Sequence, residues 1–360
     1  MSFNKTRFGI LGAAKAAIRS ILESARSFRN IAIGGVASRD KRKAEAFAKD
    51  HDIPLVFSDY DALLECKDID AVYIALPPAL HAQWIIKAAI SKKHVLVEKP
   101  ICLLPSTLDV ISNVAEKNKI AIVEGIMVQH HPWQTKIKEL IQTELFGKIR
   151  SIGTKCSFRL RENEGYRLIP DKGGGVFFDL GSYWVQFMQV CLGLQAVSVD
   201  GQSDFDGPNG IDTTFEAVMN YQDGAQGTFL GSFALPYEAT HLMYFDKARI
   251  RIRDFFRAAV GSHSISIDIK AENKLGMDRI VFDSQNYYVN QLDYFLKTIA
   301  GDLEKPSMCE YKERVKIMEQ VYRSALSKLI NSNARENSDN AYSEHLKAFD
   351  IEVASIAPYK

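Results

Sequence analysis

Short apolar runs recur through the first third of the chain, with segments of helical composition between them. The runs are Phe8–Leu11, Ile31–Ala37, Ala71–Ala75, Val95–Val97 and Ile120–Glu124. Their continuous apolar character is that of strands covered on both faces. Between them, Ala13–Arg26, Asp40–Asp50, Tyr60–Cys66, Ala79–Ser91 and Pro105–Asn118 read as helices. This alternation predicts a doubly wound parallel sheet from Thr6 to about Glu124, because strand–helix–strand units close with right-handed crossovers.

In such a sheet, ligands bind beyond the carboxyl ends of the strands, so the residues there carry the functional reading. The first strand breaks at Gly12, and Ala13-Ala14-Lys15-Ala16-Ala17 opens the helix. Against the dinucleotide fingerprint G-x-G-x-x-G/A, this stretch supplies Gly12, Ala14 and Ala17, with Lys15 inside the loop. Gly12 allows a tight turn, and alanine at position 14 adds only a methyl where phosphates approach. A purely structural strand–helix turn accounts for the same residues equally well. The second strand ends at Ser38-Arg39, with Lys43 one helical turn further. A hydroxyl and a guanidinium suit the extra phosphate of NADP(H), where a carboxylate would favour NAD(H). The alternative is a solvated helix start over Arg39–Lys43. The third run stops at Leu76-Pro77-Pro78, and the fourth enters Glu98-Lys99-Pro100. Pro100 pushes Lys99 toward an extended backbone and into the ligand crevice; a surface ion pair at a strand end is the plainer reading.

The pattern changes after about residue 150. Ser151–Arg161, Ala196–Ser203, Asp212–Tyr221 and Ala225–Ala234 have strand character, and Asp223-Gly224 joins the last two as a hairpin. They predict an α+β second domain with a large, mostly antiparallel open sheet. Helices over Tyr288–Ala300 and Tyr311–Ser332 are expected to return and cover the body. At 360 residues, two domains are the natural division. The expected ranges are 1–125 for an NADP-binding Rossmann domain, 126–332 for substrate binding and oligomerisation, and 333–360 for a C-terminal tail with one helix. Within the second range Gly173-Gly174-Gly175 permits a close backbone approach to a ligand or cofactor. Asp179 and Tyr183, four residues apart, then share a helical face. Phe177, Phe178, Trp184 and Phe187 read as core. Arg159, Arg161 and Arg167 precede that helix, where they meet a pyrophosphate or simply decorate an exposed strand.

A net charge of +1 excludes a global field for nucleic acid or an anionic membrane. The five cysteines show no CxxC spacing, which argues against a zinc site or disulfide framework and suits a reducing cytosol. No metal site is expected, and no window reaches the length of a membrane span. The first twenty residues lack a secretory apolar run. A cytoplasmic location follows as the expectation.

Taken in order, GILGAAKAA, ALPPALHA, VEKP, EGIMVQHHP, FGKIRSI and GGGVFFDLGSYW resemble the Gfo/Idh/MocA family of NAD(P)-dependent oxidoreductases, over roughly Arg7 to Ser332. The resemblance implies that Lys99 lies beside the nicotinamide and the reacting carbon. It also implies that Asp179 and Tyr183 complete the catalytic set, and that His81, Glu98, Leu76 and Pro77 lie near the cofactor. Moving a hydride to or from a carbonyl carbon changes the charge on its oxygen, so a proton donor and a cation are needed within about 3 Å. Tyrosine titrates near about 10, and a neighbouring ammonium favours its phenolate. Tyr183 is then general acid or base, and Lys99 polarises the oxygen. Members with tyrosine at this position include glucose–fructose oxidoreductase, dihydrodiol dehydrogenase and nucleotide-sugar ketoreductases. The altered glycine loop and His130-His131-Pro132 resemble the last group. The implied activity is reduction of a keto group on a sugar or sugar nucleotide. Oxidation of a free sugar or diol is the alternative, and a dinucleotide-sensing regulator a third that retention of Lys99 and Tyr183 speaks against. A homodimer or homotetramer through the sheet around residues 151–270 is also expected.

Overall fold

The computed structural model describes residues 5–161, 165–260, 263–332 and 338–359. Six strands form one parallel sheet: β1 (Thr6–Leu11), β2 (Ile31–Ala37), β3 (Val56–Phe57), β4 (Ala71–Ile74), β5 (His94–Glu98) and β6 (Ile122–Gly125). Their order, β3-β2-β1-β4-β5-β6, reverses between β1 and β4. Helices α1 (Lys15–Ala17), α2 (Lys41–Asp50), α3 (Tyr60–Glu65), α4 (His81–Ile90) and α5 (Pro105–Asn118) make the crossovers. The short β3 carries too few apolar residues to register as a strand in the sequence. The helix expected over Ala13–Arg26 is α-helical only at Lys15–Ala17 and widens to a π-turn at Ile18–Glu23. At the end of this turn the Ser24 hydroxyl donates to the Arg19 carbonyl at 2.8 Å.

Eight strands form the second sheet, ordered β14-β13-β12-β11-β7-β10-β9-β8. They are β7 (Ile149–Ser157), β8 (Ser198–Gln202), β9 (Thr214–Asn220), β10 (Gln226–Ser232), β11 (Glu238–Phe245), β12 (Ala248–Arg253), β13 (Ser266–Ala271) and β14 (Asp278–Val281). The sheet is antiparallel except for β7 with β10. The Asp223-Gly224 turn joins β9 and β10, with Gly224 at φ +83°. Helices α6 (Pro132–Gln142) and α7 (Ser182–Cys191) belong to the same unit as this sheet. One face is apolar, with Ile152, Phe215, Phe229, Met243, Ile250 and Ile267 buried.

Three helices close the chain: α8 (Tyr287–Ala300), α9 (Met308–Ser332) and α10 (Ser338–Ile356). The chain divides into two interleaved units, 1–127 with 288–312 and 349–360, and 128–287 with 313–348. This differs from the continuous ranges read from the sequence. Leu292, Phe295 and Leu296 join Phe8, Ile10 and Tyr73 in the core of the first unit. The tail expected at 333–360 is corrected in its second half, where Phe349 and Ile356 are buried apolar anchors of the first unit. Residues 333–337, where that tail was to begin, lie outside the described residues.

Candidate active site

The chain leaves β1 at Gly12, whose φ is +104°. A Cβ at this position would stand 2.6 Å from the Ala75 carbonyl oxygen, so no other residue fits. Gly12 N–H donates to Ala37 O, and Ala75 N–H to Leu11 O, each at 2.9 Å. These bonds gather the carboxyl ends of β2, β1 and β4 at the point where the strand order reverses, with Leu76 and Pro77 leaving β4 there. That is the ligand crevice of an open α/β sheet. Ala14 is extended, and no side chain caps the helix start that follows it. Ala17 is fully buried in the core, which explains why a small residue is needed there. Lys15 is exposed. The uncapped amides and the glycine-only turn fit a dinucleotide pyrophosphate.

Ser38 is buried at the end of β2, whereas Arg39 and Lys43 are exposed. The acidic residue of this turn, Asp40, is occupied as the cap of α2, accepting from Arg42 N and Lys43 N. The carboxylate is thereby committed to the helix, and Ser38 and Arg39 precede it.

The β5 strand delivers Glu98 and Lys99. Glu98 accepts from the Tyr73 hydroxyl and, at 3.3 Å, from the Ser20 hydroxyl. Tyr73 is fully buried, and burial followed by the Glu98 charge pushes its pKa well up. Glu98 therefore joins the helix after the Gly12 turn to β4 and β5. Lys99 is buried, with 8% of its surface exposed. His81 is wholly buried, with its two ring nitrogens 2.7 Å from the carbonyl oxygens of Pro100 and Leu76. It ties the Leu76 turn to the segment after Lys99. Burial lowers its pKa, and the two carbonyls oppose that, because only an imidazolium donates to both.

In the second unit two residues of the glycine run meet other parts of the chain closely. A Cβ at Gly174 would lie within 2.8 Å of the carbonyl oxygens of Tyr166, Arg167 and Ile169. Gly175, at φ +99°, lies against Asp212, which accepts from Phe177 N at 2.7 Å. Gly174 thus lies against backbone carbonyls and Gly175 against a buried carboxylate side chain. A π-turn follows at Phe177–Gly181, then α7. Asp179 and Tyr183 are both buried along this helical stretch. Arg167 holds Asp179 from both sides of the fork, Nε to Oδ2 at 2.8 Å and the terminal nitrogen to Oδ1 at 3.3 Å. The Tyr183 ring meets Phe256 edge-on at 4.7 Å. His131 caps α6 by accepting from Trp133 N, and burial holds the pKa of His130 at about 3 and that of His131 at about 4. Neither histidine carries a proton near neutral pH.

Sequence reasoning missed the buried carboxylates Asp212, Asp268 and Glu352, since none of them lies in a motif. Among the described residues there is no cluster of three metal-ligating side chains and no helix long and apolar enough to cross a membrane.

The parallel sheet, its reversal point and the glycine turn define a dinucleotide-binding protein. Residues 6–125 match the model of the oxidoreductase family with an NAD-binding Rossmann fold, and residues 135–252 match the Gfo/Idh/MocA C-terminal domain. The chain belongs to the Gfo/Idh/MocA family and is an NAD(P)-dependent oxidoreductase. It is 29% identical to an NADP+-dependent D-xylose 1-dehydrogenase of Haloferax volcanii, over 88% of this chain and 97% of that one. It is 27% identical to a dTDP-3,4-didehydro-2,6-dideoxy-alpha-D-glucose 3-reductase of Saccharopolyspora spinosa, over 82% and 88% of the two chains. A 3-ketoreductase of Actinomadura kijaniata, crystallised with NADP and TDP-benzene, superposes with a TM-score of 0.81 at 22% identity, covering 89% of this chain and 98% of that one.

Proposed function

We propose that this chain is an NADP(H)-dependent reductase of a keto group on a nucleotide-linked sugar. The observation that carries the reading is the arrangement along the carboxyl edge of the parallel sheet. Gly12 and Leu76 border the reversal point, Ser38 and Arg39 end the neighbouring strand, and Lys99 leaves β5 on the other side. The relatives described above, which act on xylose and on a dTDP-linked deoxysugar, support the substrate class.

When bound, the nicotinamide supplies the hydride. The Lys99 ammonium polarises the carbonyl oxygen, and the Tyr183 hydroxyl delivers its proton as charge develops there. Asp179 carries no proton in this scheme. It orients Arg167, whose planar guanidinium suits the pyrophosphate of a nucleotide sugar. Arg39 and Ser38 meet the ribose phosphate of NADP(H), with Lys43 adding positive charge nearby.

The test is decay of NADPH absorbance with nucleotide-linked 3-keto and 4-keto deoxysugars, for the unaltered protein beside Lys99→Ala and Tyr183→Phe. Turnover that falls by about 10²-fold or more in both variants supports the roles. Unchanged turnover in Lys99→Ala refutes its role, and NADP+ reduction by free sugars alone moves the assignment to a sugar dehydrogenase.

The outer face of the eight-stranded sheet carries a depression of about 640 Å³. Leu230, Val218 and Leu242 form its apolar floor, Arg251 and Arg253 lie toward β12, and Asp200 and Glu216 lie toward β8 and β9. A second copy related by a twofold axis would bring the basic half over the acidic half. We infer a homo-oligomer through this face. Light scattering that gives a monomer at micromolar concentration overturns it.

A further inference from the structure

The segment that follows Lys99 runs from Pro100 to Leu104 and is wholly buried, yet it belongs to no strand or helix. Its backbone amides need acceptors there, since a buried amide left unbonded is destabilising. Two carboxylates from distant parts of the chain supply them. Glu124, the penultimate residue of β6, accepts from Ile101 N at 2.8 Å. Glu352 of α10 accepts from Leu103 N at 2.7 Å and from Leu104 N at 3.0 Å. The Thr107 hydroxyl adds a third bond to Glu352, at 2.7 Å. His81 fixes the Pro100 carbonyl at the start of the same segment.

The segment also leads into α5, which has Pro105 in its first turn and no side-chain cap of its own from Leu104. Glu352 lies at that helix start, where the unpaired amides and the macrodipole favour a negative charge. It is a cap supplied from 248 residues away in sequence. Its carboxylate is completely shielded from solvent, as are Leu103 and Thr107 to within 1%. Cys102, between the two carboxylates, has its thiol pKa pushed well up by burial and by the Glu352 and Glu124 charges. The anchoring is therefore specific and shielded from solvent.

We propose that Glu352 is a positioning residue for Lys99, so that the C-terminal helix sets the geometry of the reaction without touching substrate or cofactor. The proposal rests on the assignment of Lys99 as the polarising cation. Two residues, Ile101 and Cys102, separate Pro100 from the first amide that Glu352 holds. Releasing that end lets the segment move, and a displacement of about 1 Å at a reacting group is enough to cost about 10²-fold in rate.

The experiment uses Glu352→Gln in the full chain. The amide side chain keeps one acceptor oxygen and turns an NH2 group toward a backbone donor. We expect kcat to fall by about 10–100-fold, with NADPH affinity held within about threefold and faster hydrogen exchange at Leu103 and Leu104. A structural role alone would lower folded yield without this split, so the deciding measurement is the same substitution made on Lys99→Ala. If Glu352 acts through Lys99, the second substitution adds no further loss of rate. An equal loss in both backgrounds overturns the proposal, and so does an unchanged kcat in Glu352→Gln. Should that variant fail to fold, Glu352→Asp, which keeps the charge and is one methylene too short to serve both amides, is judged by the same comparison. Full activity of Lys99→Ala would instead remove the functional reading, with the exchange rates at Leu103 and Leu104 still reporting whether Glu352 anchors the segment.

Discussion

Asparagine in place of Asp212 removes a carboxylate that the fold keeps entirely from solvent at the start of the helical stretch carrying Asp179 and Tyr183. Asp212 Oδ2 accepts from Phe177 N, its backbone oxygen accepts from Val176 N at 2.9 Å, and Oδ1 has no hydrogen-bond partner. Burial raises its pKa from 3.8 to about 7, against the opposing pull of those backbone bonds. Because the folded value lies above the unfolded one, folding is most favoured with the carboxyl protonated. Its contribution is complete below pH 3.8 and is lost as the pH rises through about 7. At 1.36 kcal/mol per pH unit, ionisation costs the native state about 4 kcal/mol by pH 8 and about 2 kcal/mol at pH 5. The unaltered protein is thus expected to lose about 2–3 kcal/mol between pH 5 and 8 through this group, and Asp212→Asn to lose none of it. Urea unfolding at several pH values reads the effect through Trp133 and Trp184, both buried in the second unit. A stability difference between the two proteins that stays constant from pH 5 to 8, within about 0.5 kcal/mol, refutes the reasoning.

Three further outcomes are expected. Gly12→Ala forces a side chain to φ +104° and a contact of 2.6 Å with the Ala75 oxygen, so NADPH affinity measured by calorimetry should fall by about tenfold or more. An unaltered affinity would show that the turn is not part of the cradle. Arg39→Ala should weaken NADPH binding by about 1–3 kcal/mol and leave NADH binding unchanged, and equal losses for the two would exclude a phosphate contact. Asp179→Asn should raise KM for a nucleotide sugar by about tenfold while NADPH affinity holds, because Arg167 loses its charged partner. A fall in kcat with KM unmoved would assign Asp179 to proton transfer instead.

The contrast between Gly12 and Glu352 shows how far local sequence reaches. Gly12 is legible because its requirement is local, a strand that must turn at positive φ before a helix. The apolar runs of the first unit are legible for a similar reason, since strands buried on both faces exclude polar residues. The Asp223-Gly224 hairpin is equally local. Arg167 and Asp179 are twelve residues apart, and each was visible as a residue of interest. Their pairing was not, because the glycine run that folds the intervening chain back reads equally as a ligand contact. The parallel pairing of β7 with β10 was hidden too, since strand patterns carry no partner.

By itself, then, the order of apolar and turn-forming residues determined two sheet classes and the dinucleotide turn, and the motifs shared with the family added Lys99 and Tyr183 as candidates. Tertiary structure alone decided which buried carboxylates hold the backbone, with Glu352 bonding Leu103 and Asp212 bonding Phe177. It also decided that the helix after 287 and the end of the chain join the first unit. The physical reason is range. Backbone conformation and burial pattern are set over a few residues, whereas a partner for a buried amide can come from any segment that the folded core brings near.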